Sequence, residues 1–259
     1  MRLVGASLLS VSMTVAVVAL SGCQAVTDAG PAGRGSATLS PGTPGPPAPT
    51  GSARPRPSRS TDPDPPSAPQ PTGVAPAEAA ARLAGLPVAA RADRPAYRRE
   101  AFGKGWGRIG GCETRDVVLA RQLRDVVRVR GDRCAISSGT FQDPYTALAR
   151  TYRRGQDPGK GLDVDHLVSL RNAWQSGAAG WDDARREAFA NDLRNLQLTA
   201  AGVNRGKGDA PVDAWVPPNR GYRCTYAVRW IEVKAAWRLA VTTAERDTLT
   251  RLLRSCPRT

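Results

Sequence analysis

From Gln24 to Ala75 the chain is mostly Pro, Gly, Ser, Thr and Ala, as in SPGTPGPPAPTGSARPRPSRSTDPDPPSAPQPTG. The stretch has no aromatic residue and almost no large aliphatic one. It therefore cannot bury enough apolar surface to offset the entropy lost on ordering. Its prolines favour a semi-extended spacer. All six tryptophans, all five tyrosines and all three phenylalanines lie beyond it. A packed core is thus confined to residues 76–259, enough chain for one ordinary domain. No catalytic residue is expected from the tether at 24–75.

Residues 1–23 precede the tether. Arg2 gives a short positive start, and residues 3–20 are largely apolar but short for a membrane span. The run ends in Leu20-Ser21-Gly22-Cys23, small residues of the kind that close a secretory signal. This ending resembles a bacterial lipobox. That implies a lipidated Cys23 and anchoring at the outer face of the bacterial cytoplasmic membrane, where several acyl chains give stable attachment. A plain secretory signal cut nearby would give an extracellular chain instead. Both exclude a cytoplasmic mature protein.

Four cysteines remain in the domain: Cys112, Cys134, Cys224 and Cys256. An even number in an exported chain points to two disulfides, for which three pairings exist. There is no Cys-x-x-Cys pair, and a single histidine cannot complete a usual zinc set, so structural zinc is not expected. Residues 225–239 (TYAVRWIEVKAAWRL) place Tyr226, Trp230, Val233 and Trp237 on neighbouring turns of a helix. Thr242 and Glu245 form a capping box that opens a second helix to about Arg254. The short turn between them makes an antiparallel pair, with Cys224 at the start and Cys256 at the end. At about 1.5 Å rise per residue the two arms match in length, which favours Cys224–Cys256.

The other flank is read the same way. Residues 77–90 have helix-forming composition up to Pro87, and residues 114–123 (TRDVVLARQL) have helical apolar spacing. Residues 126–141 alternate around Gly131-Asp132 as a β-hairpin. Cys112 lies just before that helix and Cys134 in the hairpin, so Cys112–Cys134 is the simplest second bridge.

The formal charge of +14 and pI near 10.5 favour a polyanionic partner. Nucleic acid satisfies this, but so does anionic lipid or wall polymer. A non-enzymatic basic surface lipoprotein is therefore the alternative to an enzyme, and composition alone does not choose between them.

The only histidine, His166, supplies a sharper feature. It sits in DVDHLVSL, an apolar-alternating stretch that reads as a strand, and Leu196 and Leu198 mark a second short strand. The chain from Ala200 onward can start a helix carrying Asn204. Asp165 and Asn204 are oxygen donors suited to a hard cation that keeps positions open for water and phosphate. A magnesium-like ion there would polarise a phosphoryl oxygen. His166 can accept a proton from water near neutral pH, and Arg205 and Lys207 could hold a phosphate backbone. Together these are the parts of a phosphodiester hydrolase. A Ser-His-Asp triad with Ser169 fails, because three residues so close on one strand cannot converge.

The order of these pieces resembles the ββα-metal motif of HNH endonucleases. The nine-residue step from Asn195 to Asn204 and the run NRGKGD are similar to the HNH domain of RNA-guided CRISPR nucleases. More broadly the chain resembles exported HNH proteins related to the C-terminal part of GmrSD restriction enzymes. The residues that carry this are CETR at Cys112, DPYT at Asp143, DVDHLVSL at Asp163, Ala173-Trp174, FANDLRNLQLT at Phe189, VNRGKGDAPVDAW at Val203 and CTYAVRWIEVKAAWRL at Cys224. They extend over about Cys112 to Cys256.

The resemblance implies an α+β fold: a ββα-metal core at about 162–215, flanking helices, the C-terminal antiparallel helix pair and two disulfides. It implies His166 as general base, Asp165 and Asn204 as ligands of Mg2+ (or Mn2+), Asn195 as the residue that steadies the loop and orients the base, and Lys207 as a phosphate or leaving-group contact. The implied activity is one-metal cleavage of nucleic acid, DNA rather than RNA, by a monomer that leaves a 5′-phosphate. One departure is an inserted helix at 181–191 between the two strands. Strand alternation also sends Asp165 and His166 to opposite sides. The site therefore requires Asp165 toward the helix of Asn204 and His166 toward the substrate groove.

Overall fold

The structure, a computed structural model, describes residues 73–156 and 161–257. The secretory signal at 1–23 with Cys23, and the tether up to residue 72, lie outside the described residues. In chain order the elements are α1 (Pro76–Ala84), β1 (Arg108–Ile109), β2 (Cys112–Glu113), α2 (Thr114–Gln122), β3 (Arg124–Arg128), β4 (Ile136–Gln142), β5 (Ala149–Arg153) and β6 (Leu162–His166). They continue with α3 (Leu170–Gln175), α4 (Asp183–Ala190), β7 (Leu196–Ala200), α5 (Ala201–Lys207), α6 (Arg223–Trp237) and α7 (Thr243–Arg254). The fold is α+β, with three small antiparallel sheets: β1–β2, β3–β4–β5 and β6–β7.

Two apolar clusters form the core. The larger gathers the helices: Tyr226, Trp230, Ile231 and Val233 of α6 pack with Leu249 of α7, Ala79 and Leu83 of α1, and Trp174 of α3. These α6 residues recur every three to four positions, so burying one stripe of the helix buries them all. The second cluster joins Val118 and Leu119 of α2, Ile136 and Phe141 of β4, and Leu162, Val164, Leu196 and Leu198 of the β6–β7 hairpin. That hairpin is therefore packed against the three-stranded sheet and α2, and it carries the candidate site.

The expected hairpin at 126–141 forms as β3 and β4 with Arg128 opposite Ile136, and β5 adds a third strand that sequence alternation does not announce. The inserted helix forms as α4. Asp182 caps it by accepting from Arg185 N at 2.7 Å, and Phe189 buries completely. Ser169 caps α3 by accepting from Asn172 N. At the C-terminus the Thr242–Glu245 capping box is complete: Thr242 Oγ1 accepts from Glu245 N at 3.1 Å and Glu245 Oε2 from Thr242 N at 2.9 Å.

Both disulfides join the expected partners, Cys112 with Cys134 and Cys224 with Cys256. The second closes the open end of the α6–α7 pair across a sequence separation of 32 residues. Constraining a loop of that length in the unfolded chain stabilises the fold by roughly 3–4 kcal/mol. Replacing Cys224 and Cys256 together by serine should lower the melting temperature by about 10 °C, measured by circular dichroism without reductant. An unchanged melting temperature would show that the helix pair does not need its clamp.

Candidate active site

The β6–β7 hairpin has two chemically different sides. Leu162, Val164 and His166 alternate onto the side shared with Leu196 and Leu198; Asp163 and Asp165 alternate onto the other, opposite Thr199 and Gln197. β7 runs directly into α5, which folds back over the polar side. Two residues along a strand span about 6.6 Å and one turn of α5 spans about 5.4 Å, so two contacts form in step. Asn204 Nδ2 donates to Asp163 Oδ2 at 2.7 Å, and Lys207 Nζ donates to Asp165 Oδ1 at 2.8 Å.

Lys207 Nζ donates a second bond to the His166 carbonyl at 2.8 Å, and Tyr145 Oη donates to Asp165 Oδ2 at 2.7 Å. The side chains of Lys207 and Asp165 are 0% and 4% exposed, so this ion pair is dry. Tyr145 is aimed by the turn Asp143–Thr146. Asp143 accepts from Tyr145 N, Thr146 Oγ1, Thr199 Oγ1 and Ala200 N, which ties the turn to the end of β7. Burial pushes the Asp165 carboxyl up from its ordinary value, with Lys207 and Tyr145 pulling against it. Burial and Asp165 raise the Tyr145 phenol well above 10, so it stays a neutral donor.

His166 lies at the end of the apolar side. Its Nε2 is 2.8 Å from the carbonyl of Ala190, the last residue of α4. A carbonyl only accepts, so Nε2 carries the proton and the lone pair of the neutral ring is on Nδ1. Trp106 stacks on the imidazole at 5.6 Å between centroids and 16° between planes. Burial pushes His166 from 6.5 down to about 4, and Arg99 and Lys207 act in the same direction against the Ala190 carbonyl and Asp163. The ring is therefore neutral across physiological pH, the form a general base requires.

Asn195 is fully buried at the start of β7. Its amide donates to the Val168 carbonyl at 3.1 Å and accepts from Val168 N at 2.9 Å, while its own carbonyl accepts from Leu167 N. This amide extends the β6–β7 ladder by two residues past His166 and fixes the chain that leaves the base. The inserted α4 also has a use here, since its terminal carbonyl holds the imidazole.

A cavity of about 460 Å³ opens over these groups, lined among others by Arg99, Trp106, Asp163, His166, Asn204 and Arg205. Its donor chemistry suits a hard cation, because Asp163 and Asn204 bring carboxylate and amide oxygens to one spot. Among the described residues no three His, Cys, Asp or Glu side chains form a metal-binding group. A cation here would draw on few protein ligands and take the rest from water or substrate.

The structure thus gathers Asp165, His166, Asn195, Asn204, Arg205 and Lys207 around one cavity, with different pairings from those the sequence suggests. Asp165 does face α5, but it meets Lys207; Asn204 meets Asp163. Lys207, expected at a phosphate, is buried between Asp165 and the His166 carbonyl. Sequence reasoning misses Tyr145, Asp163, Trp106 and Arg99 as site residues. The DPYT motif could have pointed to Tyr145, and strand period from Asp165 to Asp163. Trp106 and Arg99 carry no local signal.

Comparison with known proteins follows the same lines. The model of the C-terminal domain of GmrSD restriction endonucleases matches residues 113–252. An uncharacterized secreted protein of Arthroderma benhamiae (strain ATCC MYA-4681 / CBS 112371) is 42% identical over 177 residues, 67% of this chain and 82% of that protein. No solved structure matches.

The depressed His166 pKa has a signed consequence for stability. Between pH 6.5 and about 4 the unfolded chain binds a proton that the native imidazole refuses. Stability contributed by this group is present above pH 6.5 and lost as pH falls through that window, by about 2 kcal/mol at pH 5 relative to pH 7.5. In His166→Gln the loss of unfolding free energy from pH 7.5 to pH 5, measured by urea denaturation, should shrink by that amount. Parallel profiles for the two proteins would contradict a neutral, buried His166.

Proposed function

Since the chain belongs to the family of C-terminal domains of GmrSD restriction endonucleases, we propose that it is an exported, metal-dependent endonuclease that hydrolyses phosphodiester bonds of nucleic acid, DNA in preference to RNA. The observation that carries this is the state of His166: neutral, with Nε2–H fixed on a carbonyl, Nδ1 left basic, and the ring lining a cavity with two arginines. A merely basic binding protein has no use for a desolvated imidazole. The apolar run at residues 3–20 and the description of the relative as secreted both support export. Lipidation at Cys23 would tether the enzyme to the membrane surface through residues 24–75.

In this reaction His166 Nδ1 takes a proton from a water molecule as its oxygen attacks phosphorus. The P–O3′ bond breaks, the 3′ oxygen leaves and is protonated, and the new P–O bond gives a 5′-phosphate. Trp106 and the Ala190 carbonyl keep the ring from turning. Asn195 holds the chain that follows His166, and Lys207 holds its carbonyl. Arg99 and Arg205 face the phosphate charge across the cavity. Asp163, Asp165 and Asn204 would hold a Mg2+ or Mn2+ ion, which when bound supplies positive charge against the phosphoryl oxygens.

Purified protein should nick supercoiled plasmid with Mg2+ or Mn2+ and stop when a chelator is added. His166→Ala should lower the rate at least about 100-fold, the usual scale for a general base, and no second imidazole exists to replace it. Salt-sensitive binding without cleavage of DNA or RNA under any divalent metal would leave the alternative, a basic surface lipoprotein that only binds.

A further inference from the structure

We propose that the carboxylate that meets the divalent cation beside Asn204 is Asp163, and that Asp165, which precedes the base, is a positioning residue already neutralised by Lys207. This rests on the metal-dependent activity proposed above and names the ligand within it.

Three observations carry it. Both oxygens of Asp165 are taken: Oδ1 by the Lys207 ammonium at 2.8 Å and Oδ2 by Tyr145 at 2.7 Å. The ammonium is a cation built into the fold. It is completely buried and fixed by its second bond to the His166 carbonyl. A divalent ion on the same carboxylate would stand beside a positive charge that has nowhere to move. Second, Asp165 is 3% exposed, whereas a magnesium-like ion keeps several waters. Asp163 is only partly buried, lines the cavity, and its Oδ1 accepts just from the adjacent Val164 N at 2.8 Å.

Third, Asp163 is the carboxylate that Asn204 touches. Asp163 Oδ2 and the Asn204 amide are 2.7 Å apart, close to the distance of about 2.9 Å between adjacent oxygens around an octahedral ion with bonds of about 2.0–2.1 Å. Half a turn of the amide exchanges Nδ2 for Oδ1, so donating to the carboxylate and sharing an ion with it need the same placement. The Asp165–Lys207 pair then serves a separate purpose, pinning the His166 backbone through the carbonyl that Lys207 holds.

The test is Mn2+ binding by the full chain, followed by isothermal titration calorimetry and by the free-Mn2+ electron paramagnetic resonance signal, with no substrate present. Asp163→Asn and Asn204→Ala should each weaken Mn2+ binding at least tenfold. The double variant Asp165→Asn with Lys207→Met removes both buried charges together and should bind within threefold of wild type. Asp163→Asn decides the matter alone if the double variant does not fold. Wild-type Mn2+ affinity in folded Asp163→Asn overturns the assignment, as does loss of binding in a folded double variant. Neither outcome would touch the nuclease activity of the wild type. Absence of Mn2+ binding by the wild-type protein would overturn the metal-dependent function itself and this assignment with it.

Discussion

A carboxylate and an ammonium, both removed from water, meet beneath the candidate active site. Asp165 and Lys207 face each other with 4% and 0% of their side chains exposed. Either charge left alone in that place would cost about 3–5 kcal/mol. The pair is tolerable because each partner gains a further bond, from Tyr145 on the carboxylate and to the His166 carbonyl from the ammonium. Four segments must therefore arrive together: the DPYT turn, β6, α5 and the backbone of the base. The dryness that makes the pair demanding also keeps His166 neutral, so one burial event organises the site and sets the protonation state of its base.

Around this pair the fold distributes its supports. The apolar side of β6–β7 is paired with α2 and the three-stranded sheet, which leaves the polar side for α5 and the Asp143 turn. Gln197, on that polar side, is covered by Tyr222 and Arg229 of the C-terminal region, with Arg229 also donating to the Leu196 carbonyl at 3.1 Å. The long helix pair thus braces the hairpin from behind, and Cys224–Cys256 closes that brace at its open end. In front, Trp106 and the end of α4 hold the imidazole. The inserted helix is part of the site rather than an ornament on it.

The net charge of +14 fits a polyanionic substrate, but the site is not a basic patch. Acidic Asp163 and Asp165 stand beside Arg99 and Arg205 at the cavity. Mixed charge of this kind suits chemistry on a phosphate, in which a cation is held and an anion is oriented, better than simple retention of a polymer.

Much of this is legible in the residues. The composition break at Ala75 locates the domain, helical apolar spacing and the Thr242–Glu245 box locate α6 and α7, and matched arm lengths pair Cys224 with Cys256. These features are local, and a local pattern is enough when each residue's neighbours in sequence are also its neighbours in space. The motif order likewise brings His166, Asn195, Asn204 and Lys207 to one place. What the residues cannot declare is which partner each group takes. Strand period allows Asp163 and Asp165 equal claim to α5, and only the registry between β6 and α5 gives Asn204 to the first and Lys207 to the second. Tyr145, Trp106, Arg99 and the Ala190 carbonyl reach the site from positions 21 to 67 residues away from His166. Their arrival depends on how the two apolar clusters pack, a property of the whole folded chain. The sequence determined which chemical groups the site would contain; the tertiary structure decided which of them touch, because contacts across such distances are set by packing and not by spacing.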